Sequence, residues 1–350
     1  MKDFQVFSEA PELFKSMLKD IESAKDFIYL ETYIFEDDPI GKKFMELFVK
    51  KAKEGVKIRL LIDAWELSKD KTFFRDLINS GGEVRFFREL RYVIRLLSKN
   101  HERNHRKLLL IDNNITYIGS ANIGHRFITW REVVLRLLGD ITFPFVKSFL
   151  KSWESFGDFS SKRIKSFFHK SYHIIQDFPS SIHRVTEKKF LGLINHAKKD
   201  IMIETPFFIP TERIRNALVN AIKRKVKITL IVPVRSDKFY VDVLRDRYLG
   251  KLHNEGVSIY YYKPSVLHAK LLIIDNSFFM LGSSNVDYRS FIYQYEINFF
   301  GKNQDIIHAL KNHFNETLSK SELFNYNEWK KRSSFKKTLE IFMHFLRKFL

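Results

Sequence analysis

One pattern of polar residues occurs twice in this 350-residue sequence, and the intervals within the two copies are identical. Both copies read HxKxxxxDxxxxxxGSxN, with polar positions at His105, Lys107, Asp112, Ser120 and Asn122 in the first and His268, Lys270, Asp275, Ser283 and Asn285 in the second. Two imidazoles, two ammonium groups and two sets of small polar donors suit a symmetric pocket for a phosphodiester. The sequence therefore predicts phosphoryl transfer through a covalent phosphohistidine.

A longer duplication surrounds the two motifs. Segments 24–32, 54–64 and 81–87 have counterparts, in the same order, at 197–205, 224–234 and 255–262. Short runs of Val, Ile, Leu and Phe that alternate with helical patterns are typical of an α/β fold. We expect two pseudo-symmetric domains, each a mixed, mostly parallel sheet flanked by helices.

The domain limits follow from local composition. Gly, Ser and Pro concentrate between 157 and 179, which favours a boundary there. We expect an N-terminal domain at 1–165 that contains the first motif and a C-terminal domain at 166–325 that contains the second. A basic amphipathic helix is expected at 326–350.

The composition indicates the kind of partner and excludes some chemistry. Sixty Lys and Arg residues against 41 Asp and Glu give a net charge of +19, so the protein is expected to bind an anionic partner such as nucleic acid or an acidic membrane surface. The absence of cysteine excludes disulfides, thiolate catalysis and Cys-ligated zinc. No apolar run is long enough for a membrane span, and the start does not have the pattern of a signal peptide.

The spacing of the residues along each predicted strand indicates which of them share a face and therefore which share a role. His105 and Lys107 are two residues apart, as are His268 and Lys270, so each pair should leave the same face of a strand. Asp112 and Asp275 complete the candidate catalytic set. Each lies seven residues after its histidine, an odd step that favours a structural or turn-forming role.

The residues after each motif supply further candidates. Ser120, Asn122, Ser283 and Asn285 offer hydroxyl and amide donors that we expect to bind phosphate oxygens. Glu132 and Glu296 follow on the next apolar runs, and a carboxylate bonded to one imidazole nitrogen would orient the ring for attack by the other nitrogen. Because two lysines supply positive charge, we expect neither a metal nor a cofactor.

The doubled motif resembles the HKD motif of the phospholipase D superfamily and is most similar to its bacterial cardiolipin synthases. The resemblance rests also on the segments 103–107 (RNHRK), 130–132 (WRE), 203–210 (IETPFFIP) and 284–290 (SNVDYRS). It implies transfer of a phosphatidyl group from one phosphatidylglycerol to the glycerol headgroup of another, with release of glycerol. It also implies that His105 is the nucleophile and His268 the acid and base.

Many members of that family carry two transmembrane helices before the catalytic region, whereas this sequence begins almost directly with that region. We therefore expect a peripheral protein at the cytoplasmic face of the bacterial membrane, with an anionic phospholipid surface and phospholipid substrates as partners. In the tail, Phe335, Leu339, Phe342, Leu346 and Phe349 recur at helical spacing among basic residues, which suits either an interfacial helix or one packed on the body. A second candidate for membrane contact is segment 86–97.

Other functions remain open at this stage. The same motifs would serve a lipid hydrolase or a phosphatidylserine-forming transferase. The positive charge would also suit a nuclease, although the basic residues are interleaved with Phe and Leu. A non-enzymatic membrane-binding module is disfavoured by two intact motifs. The sequence does not indicate an oligomeric state.

Overall fold

The computed structural model describes residues 3–65, 71–87, 102–155 and 165–346. The candidate segment 86–97 lies mostly outside these residues, as does the part of the proposed domain boundary at 156–164. The first half of the chain contains the strands β1 (Phe4–Glu9), β2 (Phe27–Thr32), β3 (Lys57–Asp63), β4 (Glu83–Phe87), β5 (Arg103–Asn104), β6 (Leu108–Ile111), β7 (Ile115–Gly119) and β8 (Arg131–Leu138). Its helices are α1 (Ala10–Glu22), α2 (Pro39–Lys53), α3 (Arg75–Asn79) and α4 (Thr142–Glu154).

The second half contains a similar order of elements with additional short strands and helices. Its strands are β9 (Lys165–His169), β10 (Tyr172–Asp177), β11 (Asp200–Glu204), β12 (Phe208–Ile209), β13 (Lys227–Pro233), β14 (Ser258–Tyr262), β15 (Leu271–Ile274), β16 (Phe278–Gly282), β17 (Val286–Asp287), β18 (Gln294–Gly301) and β19 (Ser321–Leu323). Its helices are α5 (Val185–His196), α6 (Glu212–Lys223), α7 (Phe239–Asn254), α8 (Tyr288–Ile292), α9 (Gln304–Ser319), α10 (Tyr326–Lys330) and α11 (Ser334–Leu346).

Each half builds a mixed sheet. The first has the order β1-β8-β7-β6-β2-β3-β4 and the second β19-β14-β13-β11-β15-β16-β18-β10-β9. The mixed sheets flanked by helices confirm the predicted α/β fold, but most strand pairs in the described residues are antiparallel rather than parallel. Parallel pairing within these two orders joins β2, β3 and β4, and also β11, β13 and β14. The difference arises because each motif forms a tight hairpin followed by a returning strand, and strands joined by tight turns are antiparallel.

Local sequence explains the outer helices. In α6, Ile214, Ala217, Leu218 and Ala221 are buried, at the i, i+3, i+4, i+7 spacing of one helical face. Thr211 caps the helix by accepting a hydrogen bond from the Ile214 N–H. The helix therefore packs on the sheet through apolar residues that recur once per helical turn in the sequence.

The two sheets face each other across a shared apolar core. Leu110 and Leu135 from the first sheet belong to the same buried cluster as Ile273, Leu281 and Ile297 from the second. Separate clusters lie between each sheet and its outer helices. At one end of the shared core the halves also exchange backbone pairing, since β5 of the first half pairs with β18 of the second. That end carries both motifs.

The carboxy-terminal helix α11 packs on α7 through polar side chains. Lys336 Nζ lies 2.6 Å from Asp246 Oδ2, and Tyr248 Oη lies 3.2 Å from His344 Nδ1. On the remaining surface of α11, Phe335 and Phe342 are 78% and 61% exposed. The helix thus packs on the body and also presents apolar side chains outward. Among the described helices, none has the length and apolar character needed to cross a membrane.

Candidate active site

The two HxK segments lie immediately before the inner strands β6 and β15, rather than within them as predicted. Each is held by the other half of the chain. The His105 N–H donates to Tyr295 O at 2.9 Å, and the His268 N–H donates to Arg131 O at 2.7 Å. This exchange brings both histidines to one cleft.

The glutamates also cross between the halves. His105 Nδ1 lies 3.1 Å from Glu296 Oε1, and His268 Nδ1 lies 2.9 Å from Glu132 Oε1. Glu132 and Glu296 are therefore placed to orient the two rings, each acting on the histidine of the opposite half. With Nδ1 occupied, Nε2 of each ring has no hydrogen-bond partner in the described part of the chain and remains available for chemistry.

The serines occupy a position different from the one predicted. Ser120 Oγ donates to Glu132 Oε2, and Ser283 Oγ donates to Glu296 Oε2. Both hydroxyls also accept a backbone N–H of the following strand at 2.9 Å, and both side chains are fully buried. The predicted phosphate contact does not fit this placement, because the hydroxyls are committed to the carboxylates that hold the histidines.

The asparagines face the cleft instead. The wall of the cleft contains His105, His268, Asn122 and Asn285. The Oδ1 atoms of both asparagines are buried and have no hydrogen-bond partner among the described residues. Both asparagines thus line the cleft with polar side chains, and their role in phosphate binding stays a prediction.

The two aspartates lie away from the cleft. Asp112 adopts φ 51° in the turn after β6 and accepts the backbone N–H groups of Lys25, Asp26 and Phe27 at 2.8–3.1 Å. Asp275 adopts φ 52° and accepts three backbone N–H groups in the corresponding loop at 2.7–3.0 Å. Each aspartate thus ties the turn of its motif to the start of the neighbouring strand, in agreement with the structural role that spacing indicated.

The lysines are buried beside the histidines. Lys107 Nζ donates to His105 O at 2.6 Å, and Lys270 Nζ donates to His268 O at 2.7 Å. Burial lowers the pKa of Lys107 to about 7, helped by the positive charge of Lys270. Burial also lowers the pKa of Lys270 to about 8, although Glu132 and Glu296 oppose that shift. An anionic ligand would restore the charge of both ammonium groups.

Electrostatics distinguish the two histidine–glutamate pairs. Burial raises the pKa of Glu296 to about 7. Burial also acts to raise the pKa of Glu132, but His268 beside it outweighs that effect, and the pKa is lowered overall. Burial, together with nearby cations, lowers the pKa of both histidines, that of His105 strongly. Glu132 is thus the carboxylate better able to support an imidazolium.

Sequence reasoning missed a buried polar network beneath the first motif. Arg103 Nε donates to Asp63 Oδ1 at 2.9 Å, and both side chains are fully buried. Arg106, between the motif's His and Lys, bonds Glu31 at 3.2 Å and the carbonyl of Glu296 at 3.1 Å. In the sequence, Asp63 at the end of an apolar strand could have indicated this network, because a buried carboxylate requires a partner.

The fold and the doubled site define a class of protein. The family described as "Cardiolipin synthase, PLD-like domain" matches residues 17–149 and again 190–318. The chain therefore belongs to this phospholipase D-like family, and the predictions of the family and of a phosphatidyltransferase are confirmed.

Individual relatives agree with that assignment. The chain is 31% identical to the cardiolipin synthase of Listeria welshimeri over 347 residues, which cover 95% of this chain and 72% of that protein. It is also 31% identical over 350 residues to the major cardiolipin synthase ClsA of Bacillus subtilis, which covers 93% of this chain and 71% of that protein. The crystal structure of phosphatidylserine synthase from Haemophilus influenzae shares the fold, with a TM-score of 0.81 and 12% identity over 100% of this chain and 96% of that one.

Proposed function

We propose that the protein forms cardiolipin from two phosphatidylglycerol molecules and releases glycerol, through a phosphatidyl-histidine at His105. The crossed histidine–glutamate pairs carry this proposal, because they turn two Nε2 atoms toward one cleft that also contains two asparagine amides. The cardiolipin synthases that resemble almost the whole chain support the choice of substrate.

The reaction proceeds in two displacements. In the first, Nε2 of His105 attacks phosphorus, the bond from phosphorus to the glycerol oxygen breaks, and His268 gives that oxygen its proton. In the second, a hydroxyl of the acceptor lipid gives its proton to Nε2 of His268 and attacks phosphorus, and the bond to His105 breaks. The cycle restores both histidines and consumes no proton.

The environments of the histidines support this division of roles. His105 has a strongly lowered pKa, since burial disfavours its charged form, and a neutral imidazole is the nucleophilic form. His268 bonds the ionised Glu132, which opposes the lowering of the His268 pKa by burial and so supports the imidazolium that an acid requires. Lys107 and Lys270 supply positive charge for the nonbridging oxygens, where preorganised electrostatics lower the barrier.

A lipid assay tests the reaction. Purified protein is incubated in parallel with phosphatidylglycerol vesicles, with phosphatidylethanolamine vesicles plus serine, and with labelled DNA, and products are separated by chromatography. Cardiolipin and glycerol in equal amounts from the first sample are expected. Phosphatidic acid alone would indicate a hydrolase, phosphatidylserine a different acceptor, and cleaved DNA without lipid products a nuclease.

We also propose that α11 contacts an anionic lipid surface. Its exposed Phe335 and Phe342 are seven residues apart and so share a helical face, with Leu339 half-buried between them. The exposed Lys330, Lys331 and Lys337 lie on or beside the helix. Apolar side chains that point away from the body, next to lysines, match the requirements of an interfacial helix.

Vesicle sedimentation tests this surface. The double variant F335S/F342S should bind phosphatidylglycerol vesicles about 10-fold or more weakly, since burial of each phenyl group contributes roughly 1.5–3 kcal/mol. Leu323→Ser removes a similarly exposed apolar side chain from β19 and should leave binding unchanged. Equal loss in both variants would contradict a specific role for α11.

A further inference from the structure

Each motif is followed in the sequence by an arginine at the equivalent position of the repeat. Arg126 and Arg289 each lie seven residues after the motif glycine, Gly119 or Gly282, and both line the cleft. Duplication therefore gives the cleft a cation on each side. Their surroundings differ.

The first arginine is neutralised by the protein. Arg126 Nε lies 2.7 Å from Glu36 Oε1, and its guanidinium lies 4.7 Å from the centre of the Phe127 ring. The Glu36 N–H donates to Ile123 O at 3.1 Å, which fixes the carboxylate beside the arginine. This side of the cleft therefore presents a paired charge.

The second arginine has no such partner. Within the described residues, the side chain of Arg289 makes no hydrogen bond and no ion pair, and its Nε is buried without an acceptor. The reason lies in the repeat, because the residue equivalent to Glu36 is Ile209, which pairs through its backbone with Asp287.

Asp287, two residues before Arg289, is an acidic neighbour of this guanidinium but forms no ion pair with it among the described residues. Asp287 is 5% exposed and accepts the Ser290 N–H at 2.6 Å, as the cap of α8. Burial raises its pKa to about 6. A guanidinium that lacks a carboxylate partner in a partly buried wall favours a bound anion, and its planar donors match phosphate oxygens well.

The reacting phosphate does not require this cation. In the proposed reaction its two nonbridging oxygens are assigned to the charges of Lys107 and Lys270 and to the amides of Asn122 and Asn285, which lie around the two histidines. Arg289 is an additional cation on one side of the same cleft, so it suits a second anion that is bound while the first reacts.

We propose that Arg289 binds the phosphate of the acceptor lipid. This inference rests on the proposed function, in which the acceptor phosphatidylglycerol carries its own phosphodiester three carbons from the attacking hydroxyl. Water and free glycerol carry no such phosphate. Arg289 therefore selects a phospholipid acceptor over small hydroxylic ones and favours transfer over hydrolysis.

Competition between acceptors tests the assignment. Phosphatidylglycerol vesicles are incubated with labelled glycerol, and cardiolipin formation is compared with the appearance of labelled phosphatidylglycerol, which uses the same first displacement but an acceptor without phosphate. In Arg289→Gln the ratio of cardiolipin to glycerol exchange should fall about 10-fold or more, as expected for loss of a charge-assisted hydrogen bond, while exchange is retained. Arg289→Lys keeps the charge and should show a smaller fall.

Arg126→Gln is the matched control, and its ratio should change much less because Glu36 already pairs that charge. An equal loss of both reactions in the Arg289 variants, or an unchanged ratio, would overturn the assignment. If the unsubstituted protein exchanges glycerol but forms no cardiolipin, the proposed function itself fails. Thermal unfolding of each variant confirms that the ratios refer to folded protein, and Arg289→Lys provides the measurement if the glutamine variant does not fold.

Discussion

The two motifs contain the same polar side chains, but different residues pack behind them. Beneath the first, Arg103 and Asp63 form a fully buried pair, and Arg106 bonds Glu31. At the equivalent positions beneath the second lie Val266, Pro233 and Ala269, which are apolar. A symmetric pocket therefore does not require a symmetric scaffold, because only the groups that face the phosphate must match.

The histidines provide the largest expected difference between the halves. With an activated phosphodiester whose leaving group needs no proton, His268→Ala should still form the covalent adduct and accumulate it, whereas His105→Ala should form none. Both variants should lose cardiolipin formation by about 10³-fold or more, in line with the loss of a nucleophile or of an acid and base. Mass spectrometry of the intact protein detects the adduct.

Replacement of both histidines serves as the control for background chemistry. Adduct on the His105→Ala variant, with none on the His268→Ala variant, would reverse the assigned roles while leaving the two-histidine reaction in place.

The supports can be compared directly through Asp63 and its counterpart Pro233. Burial raises the pKa of Asp63 even with Arg103 beside it, so the pair fixes geometry more than it adds net stability. Asp63→Ala leaves the Arg103 charge buried and should lower the free energy of unfolding by roughly 3–5 kcal/mol. Pro233→Ala should cost less than about 1 kcal/mol. Urea denaturation measures both, and equal costs would contradict the contrast between a polar and an apolar support.

Lys107 and Lys270 should have separable effects on the pH dependence of kcat/KM. Because burial lowers the pKa of Lys107 to about 7 and that of Lys270 to about 8, kcat/KM should fall as the pH rises through the first value, by at most about tenfold per unit. Arginine remains charged throughout this range. Lys107→Arg should therefore change the decline, because Lys270 alone still titrates and does so beside a permanent cation, whereas Lys270→Arg keeps a cation beside Lys107 and should leave the decline near pH 7. Identical profiles for the two variants would show that neither lysine sets the decline.

The aspartates should behave alike, since each ties its turn through three backbone hydrogen bonds. Asp112→Asn and Asp275→Asn should each lower the free energy of unfolding by roughly 1–3 kcal/mol, with activity retained below the melting temperature. Burial acts to raise the pKa of Asp275, but backbone N–H groups outweigh it and lower the pKa below 3.8. Its contribution to stability is therefore present above pH 3.8 and is lost as the pH falls through the lowered value. Loss of activity in a stable variant would instead indicate a role in the reaction.

Much of the fold and site could be predicted because it is encoded locally. The hairpin of each motif follows from two short apolar runs around an Asp-Asn turn, and the structure confirms it at β6–β7 and β15–β16. The histidines and asparagines line one cleft, and the lysines lie buried beside the histidines. The division into 1–165, 166–325 and 326–350 stays a prediction.

The rest depends on contacts between distant positions. His105 meets Glu296 at a separation of 191 residues and His268 meets Glu132 at 136, so spacing within one motif could not show which glutamate serves which ring. The serines were assigned to phosphate because their hydroxyls are suitable donors, yet the same donors satisfy a buried carboxylate first. The contrast between Arg126 and Arg289 depends on one difference between equivalent positions, Glu36 in the first half and Ile209 in the second, each far from its arginine in the sequence.

The crossed glutamates have a consequence for the ancestry of such a chain. A single half possesses a histidine and a glutamate, but in positions that do not serve each other. Expressed alone, it would gain a working pair only by associating with a second copy of itself, where each copy lends its carboxylate to the other. The present molecule is in this sense a self-complementary dimer whose two subunits have been joined end to end, so that the residues outside the two motifs and the two glutamates could diverge between the halves.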